Sequence, residues 1–407
     1  MPESVVDRLA VLAQFGKHAG GIDRALATPQ ERRAREQFAA WARNAGYEVR
    51  QDRAGNTFAR RGGARPDAAP IIVGSHLDTV PTGGAYDGAY GVAGALCALE
   101  RLDARGVTTA HPVEAAAWAG EEGSRFPLGC LGSTAFCGAR GIEDVLDICD
   151  AAGVTLRAAL ADRAGGLLDG VPLREASDAA AYLELHVEQG PVLELEGVSL
   201  GVVSAIAGQR RYRIRVDGTS GHAGTVPMAL RADPICAASE VVLAVEAAAR
   251  ANANSVATVG RMIVEPGGTN VIPASVAFSL DARSPSDACI DSIEEALRET
   301  CARIERERGV RVHVECLESR EPAPMDERMR AAVHRAIASL GQRCIDVASG
   351  AGHDAMCLSR IVPAAMIFVP SLGGRSHVAQ ERTDDRDLEL GVEALTAAIV
   401  EVDRVLG

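Results

Sequence analysis

No apolar stretch of this sequence approaches the roughly eighteen residues that a membrane-spanning helix needs. No long run of lysine and arginine occurs either, and the formal net charge is −13. These absences argue against a membrane and against nucleic acid as partners. Ten cysteines are present, but none forms a C-x-x-C pair and their spacing is irregular. In so large a chain that distribution suits a reducing cytoplasm, with most thiols acting as small core residues, better than a disulfide framework. Aromatic residues are scarce, at 3%, so nothing announces a large aromatic pocket. The opening MPESVVDRLAVLAQFG carries Glu3 and Asp7 and lacks the charged-then-apolar pattern of a secretory leader. No internal repeat occurs, and no low-complexity segment beyond Ala-rich stretches. A cytoplasmic location is the resulting expectation.

What is present reads as soluble and globular: 47% hydrophobic and 24% charged residues. A chain of 407 residues is too long for one ordinary core, so two domains are expected. Apolar runs at Ile71–Val73, Val113–Trp118, Tyr182–His186 and Ala364–Val369 predict buried strands. They alternate with helical patterns at Pro29–Ala45 and Gly91–Leu102, which predicts an α/β fold with a mixed, mostly parallel sheet. From about Arg211 the pattern changes. Strands are predicted at Tyr212–Val216, Ser255–Glu265, Ser275–Ala282 and Val310–Cys316, with helices at Pro234–Arg250 and Ser286–Arg308. The order β-α-β-β-α-β is that of a split-βαβ, ferredoxin-like sandwich. The expected organisation is therefore a catalytic domain over 1–210 and 328–407, interrupted by a smaller domain over 211–327.

Polar residues suited to metal chemistry gather just past the predicted strands, where open α/β sheets place their sites. They are His76 and Asp78, Asp87, the pair Glu121-Glu122, His186, and Ser376-His377. Imidazole and carboxylate suit zinc, manganese and related divalent ions. An Asp in the Gly-flanked turn Ala85-Tyr86-Asp87-Gly88 could bridge two ions, and Asp78 could accept the second N–H of the His76 imidazole and set its tautomer. Of two adjacent glutamates, one could bind metal while the other acts as general base. Each group alone reads equally as a surface or core residue. Nine histidines in the whole chain make three at predicted strand ends harder to dismiss.

The chain resembles the di-metal amidohydrolases of the M20 peptidase superfamily, and within it the N-carbamoyl-L-amino-acid hydrolases, allantoate amidohydrolases and β-ureidopropionases. The resemblance runs nearly end to end and rests on AGNTFARR, GSHLDTVPTGGAYDG, GEEGSRFPLGCLGS, LELHVEQGPVLE, GHAGTVPM, GGTNVIPASVAFSLDAR, SGAGHDAM and GGRSHVAQE. It implies His76, Asp87, Glu122, His186 and His377 as ligands of two divalent ions (zinc, manganese, cobalt or nickel), with Asp87 bridging. It implies Glu121 as general base and His222, on the smaller domain, as oxyanion stabiliser. Asn270 and Arg283 would anchor a substrate carboxylate, for which a guanidinium fork is well suited. Together with His222 they would serve the partner subunit's site in a homodimer formed through the smaller, lid domain. Gln189, Gly352 and His353 would line the substrate pocket. A non-proline cis peptide beside Asp87 is also implied.

The activity implied is hydrolysis of a ureido C–N bond on a carboxylate-bearing substrate, either allantoate or an N-carbamoyl-L-amino acid. Gly208-Gln209-Arg210-Arg211-Tyr212 is similar to the allantoate version of that segment, and Arg211 tilts the reading toward allantoate. Two alternatives stay open. One is an aminoacylase or aminopeptidase of the same superfamily, against which His186 speaks, since those relatives usually place a carboxylate there. The other is a non-catalytic protein that binds ureido compounds, against which an intact Glu121 speaks.

Overall fold

The computed structural model describes residues 3–163, 172–175 and 178–407. The chain divides into two compact units, 1–204 with 324–407, and 205–323. The boundaries fall at Ala205 and Pro324 rather than at 211 and 328. The physical reason is that the strand predicted from Tyr212 already begins at Gly208 and pairs along its whole length within the smaller unit.

In the larger unit a nine-stranded sheet has Ala364–Val369, Ala181–Val187, Ile71–His76 and Val113–Trp118 as its parallel centre. Every residue of these four strands is buried, as expected when both faces of a parallel sheet are covered. Antiparallel strands extend it on either side, with Gly201–Ile206 against Ala364–Val369 and Thr57–Arg61 against Val113–Trp118. Strand Ile71–His76 runs three residues beyond the apolar run, because a paired neighbour, not hydrophobicity, sustains it through Gly74-Ser75-His76.

Helices Ala89–Ala104 and Asp385–Leu406 bury Leu96, Leu99, Val392 and Leu395 in the main core. Gly91 permits the first of them to lie directly on the sheet: a Cβ there would sit 2.4 Å from the Leu185 carbonyl oxygen. Helix Pro29–Asn44 starts where expected, its Thr28 side chain accepting from the Glu31 N–H and Pro29 filling the first turn. Among the described residues no helix is long and apolar enough to cross a membrane.

The smaller unit has a five-stranded antiparallel sheet with helices Pro234–Ala251 and Asp287–Arg308, in the order β-α-β-β-β-α-β, plus a short separate pair, Gly221–His222 with Val271–Ile272. Its core is Ile214, Val216, Val241, Val245, Phe278, Leu280, Ile293 and Leu297. The segment expected as one strand over Ser255–Glu265 is instead two, Val256–Thr258 and Met262–Glu265, each pairing with Ser275–Ser284. Gly260, at the break, has neither a side chain to pack nor a strand preference.

Candidate metal centre

The strand ends of the larger unit bring the predicted residues together. His76 closes strand Ile71–His76, His186 lies one residue before the end of Ala181–Val187, and both rings are buried. Asp87 stands between them. Its Oδ1 is 3.6 Å from His76 Nε2 and 3.3 Å from His186 Nε2, while its Oδ2 is 3.1 Å from His377 Nε2. His377 Nε2 is in turn 3.6 Å from Glu122 Oε2. Two trios result, His76–Asp87–His186 and Asp87–Glu122–His377, each with ligand atoms within 4.8 Å of one another. They share Asp87. Glu121 belongs to neither, but its Oε2 lies 3.7 Å from His76 Nε2.

The backbone prepares these side chains. His76 Nδ1 donates to the Asp78 carbonyl oxygen at 3.0 Å and His186 Nδ1 to the Val187 carbonyl oxygen at 2.9 Å. A carbonyl can only accept, so each ring keeps its proton on Nδ1 and turns Nε2 toward Asp87. The Gly88 N–H donates to that same His186 Nε2 at 3.2 Å. This is the neutral tautomer that ligates metal. Asp78 therefore does not act as anticipated. Its backbone, not its carboxylate, orients His76. The carboxylate instead accepts the N–H of Glu121 at 3.2 Å and of Glu122 at 3.1 Å, aiming the glutamate pair from below.

The turn at Asp87 also departs from expectation. Among the described residues the cis peptide is Glu265–Pro266, and none lies beside Asp87. The chain turns there through Gly88, at φ +64° and ψ −51°, with the Ala89 N–H donating to the Asp87 carbonyl at 2.6 Å. That is a γ-turn, a strained conformation that glycine tolerates best. A Cβ on Gly88 would sit 2.4 Å from the His76 ring. Gly88→Ala is accordingly expected to cost about 1–3 kcal/mol of stability and to displace His76. Thermal unfolding and metal analysis of the purified variant check this, and wild-type values in both would refute it.

Gln189 and His377 are left-handed non-glycine residues, at φ +59° each. Backbone strain of this kind concentrates at functional sites. Gln189 Nε2 donates to Asp87 Oδ2 at 2.9 Å and to Ser376 Oγ at 3.2 Å, leaving its Oε1 buried without a partner. Ser376 Oγ lies 3.2 Å from Asp87 Oδ2 and donates to Glu381 Oε2 at 2.7 Å. Glu381, which the sequence reading missed, also accepts the N–H groups of Tyr86 and Asp87 on its Oε1. Its place at the end of the GGRSHVAQE motif was the available signal, but its role was not legible there, because it acts on a turn almost three hundred residues away.

The electrostatics are those of a site made for cations. Asp78, Asp87, Glu121, Glu122, Glu184, Asp354 and Glu381 converge, and among the described residues no arginine or lysine forms an ion pair with any of them. Burial works against charge on His76 and His186, yet Asp87 outweighs it and both imidazoles are raised. Burial pushes Glu121 well above the carboxylate range, with Glu122 adding to it, and lifts Glu122 to about 7. Divalent cations would relieve this accumulated negative charge, and the donor set fits them: nitrogen and oxygen atoms, neutral rings, one shared carboxylate.

Not every candidate joins the cluster. His353, expected to line the pocket, packs behind His186. It is buried and edge-on to the His186 ring at 4.5 Å, with Nε2 at 2.8 Å from Ser349 Oγ.

 Only 1% of the His353 surface is exposed, and its ring backs that of His186. Gly352 does face the site, since a Cβ there would lie 3.8 Å from Glu121 Oε1. Glu184, His186 and His353 also approach one another, but His186 spends Nδ1 on Val187 and Nε2 on the Asp87 side. It has no lone pair left for a third ion.

His222, Asn270, Arg211 and Arg283 lie in the smaller unit. His222 pairs with Val271, and the Ala223 N–H donates to the Asn270 carbonyl at 2.9 Å, so the His222 and Asn270 segments are adjacent. Arg283 is oriented by Asp281, through Nε at 3.0 Å and Nη2 at 3.1 Å. Arg211 is half-exposed, 3.4 Å from Asp281 and 3.1 Å from Glu318.

Residues 72–401 match the model of peptidase family M20/M25/M40. An N-carbamoyl-L-amino acid amidohydrolase of Geobacillus stearothermophilus is 39% identical over 97% of this chain and 96% of its own length. An allantoate amidohydrolase of Bacillus subtilis strain 168 is 38% identical over the same shares, 97% and 96%. The crystal structure of an amidase of the hydantoinase/carbamoylase family from Burkholderia multivorans superposes with a TM-score of 0.93 at 38% identity, covering 97% of this chain and 96% of that one.

Proposed function

This chain belongs to peptidase family M20/M25/M40, and from that premise we propose that it hydrolyses the C–N bond of a ureido group on a carboxylate-bearing substrate. Its relatives make it a hydrolase of carbon–nitrogen bonds other than peptide bonds. The observation that carries the finer reading is the sharing of Asp87 between two trios of ligand atoms. His76, Asp87 and His186 would hold one divalent ion, and Asp87, Glu122 and His377 the other. When bound, such ions polarise a carbonyl oxygen and make water acidic enough to attack near neutral pH.

The chain's own residues supply the rest. Glu121, in neither trio, takes the proton of the attacking water and returns it to the departing nitrogen. Ammonia leaves, and the remaining carbamate loses CO2. Gln189 holds Asp87 through its Nε2 and presents a buried, unpartnered Oε1; a ureido N–H would satisfy it. His222 is assigned to the developing oxyanion, and Asn270 and Arg283 to the substrate carboxylate, within a homodimer formed through the smaller unit.

Allantoate is proposed as the first substrate, on the strength of Arg211 alone. An allantoate-like molecule carries more polar groups than an N-carbamoyl-L-amino acid and calls for additional donors. The test is ammonia release from allantoate against a panel of N-carbamoyl-L-amino acids. The enzyme is first stripped of metal, then restored with zinc, manganese, cobalt or nickel. Activity on allantoate that falls at least tenfold in Arg211→Ala is the expected result. Unaltered activity in that variant would remove the preference. Inactivity on every ureido compound with each metal would overturn the reaction itself.

A further inference from the structure

We infer that Glu184 is a positioning residue for the metal centre, a buried tie between the three segments that carry His76, His186 and His353. The inference rests on the di-metal reading above. Glu184 lies on strand Ala181–Val187, two residues before His186, and is fully buried. Its Oε1 accepts the Ser75 hydroxyl at 2.7 Å, and Ser75 immediately precedes His76 on strand Ile71–His76. Its Oε2 accepts the Ala355 N–H at 2.9 Å, two residues beyond His353, whose ring packs edge-on against His186. One carboxylate thus joins three elements distant in sequence.

The placement is costly for stability alone. Two neutral donors hold the carboxylate, and among the described residues no arginine or lysine pairs with it. A buried carboxylate without a cation is unfavourable, and an uncharged pair of the same shape would hold the strands as well. The placement is explained if cations are held beside it, and its carboxylate lies within 4.8 Å of ligand nitrogens of His186 and His353. Residues that orient ligands from behind typically change metal affinity about 10–100-fold when replaced.

The test is a cobalt(II) titration of the metal-free protein, followed by absorbance, alongside thermal unfolding of the same metal-free samples. Glu184→Gln keeps the size and can still accept from Ser75, but its amide sets a donor against the Ala355 N–H. Expected is a loss of cobalt affinity of about 10-fold or more, with the metal-free melting temperature within a few degrees of wild type. Ser75→Ala cuts only the tie to His76 and should shift affinity the same way by less. It also serves as the readout if Glu184→Gln does not fold. Wild-type cobalt affinity in the folded variants would overturn the inference and leave the di-metal reading intact. A wild-type protein that takes up no cobalt would overturn both.

Discussion

An Asp87→Ala protein is expected to hold less than one divalent ion per subunit and to show no measurable turnover. Asp87 is the single residue common to both trios, with three imidazole nitrogens 3.1–3.6 Å from its two oxygens. Burial alone would raise this carboxyl, but the facing imidazoles of His186, His377 and His76 hold it well below the usual carboxylate range. It is therefore a charged acceptor that both sets of ligands face. Its loss also strips Gln189 Nε2 of a partner, so the damage extends to the strand end beyond. Elemental analysis of the purified variant is the measurement, and a protein still carrying two ions would refute the bridging role. His76→Ala offers a useful contrast, since it removes a ligand from one trio only and should leave about one ion bound.

Glu121→Gln should separate chemistry from metal binding. The substitution is isosteric, Glu121 lies in neither trio, and its N–H remains available to Asp78. Metal content should be unchanged while kcat falls about 10²–10⁴-fold, the usual contribution of a positioned general base. Burial is the main reason its carboxyl titrates high, with the neighbouring Glu122 adding to it, and a basic carboxylate is what proton abstraction from water requires. Turnover within tenfold of wild type, at matched metal content, would assign the base elsewhere.

Much of the candidate site was legible because each proposed ligand sits where a local pattern changes. His76 stands three residues past one apolar run, His186 closes another, and Gly88 follows Asp87 at a turn. Those signals rest on short-range chemistry: strand alternation, turn residues and the donor types metals prefer. The roles of Asp78 and His353 were not legible. Asp78 was expected to set the His76 tautomer with its carboxylate, but the backbone carbonyl does so. His353 was expected at a pocket wall and lies buried behind His186. In both cases the residue lies beside the candidate ligands but its atom or direction differs from the expectation, because local sequence does not say which way a side chain leaves a loop.

The sequence by itself determined the two-part α/β organisation, the family and the identities of the candidate ligands, since these follow from periodicity, composition and short motifs. The tertiary structure alone decided that Asp87 lies between two trios, that Asp78 carries the Glu121-Glu122 turn, and that Glu381 and Glu184 brace the site from behind. Each of those contacts joins segments far apart in the chain. Hydrogen bonds of about 3 Å depend on how strands and helices dock, and docking is set by the packed core as a whole and not by any one motif.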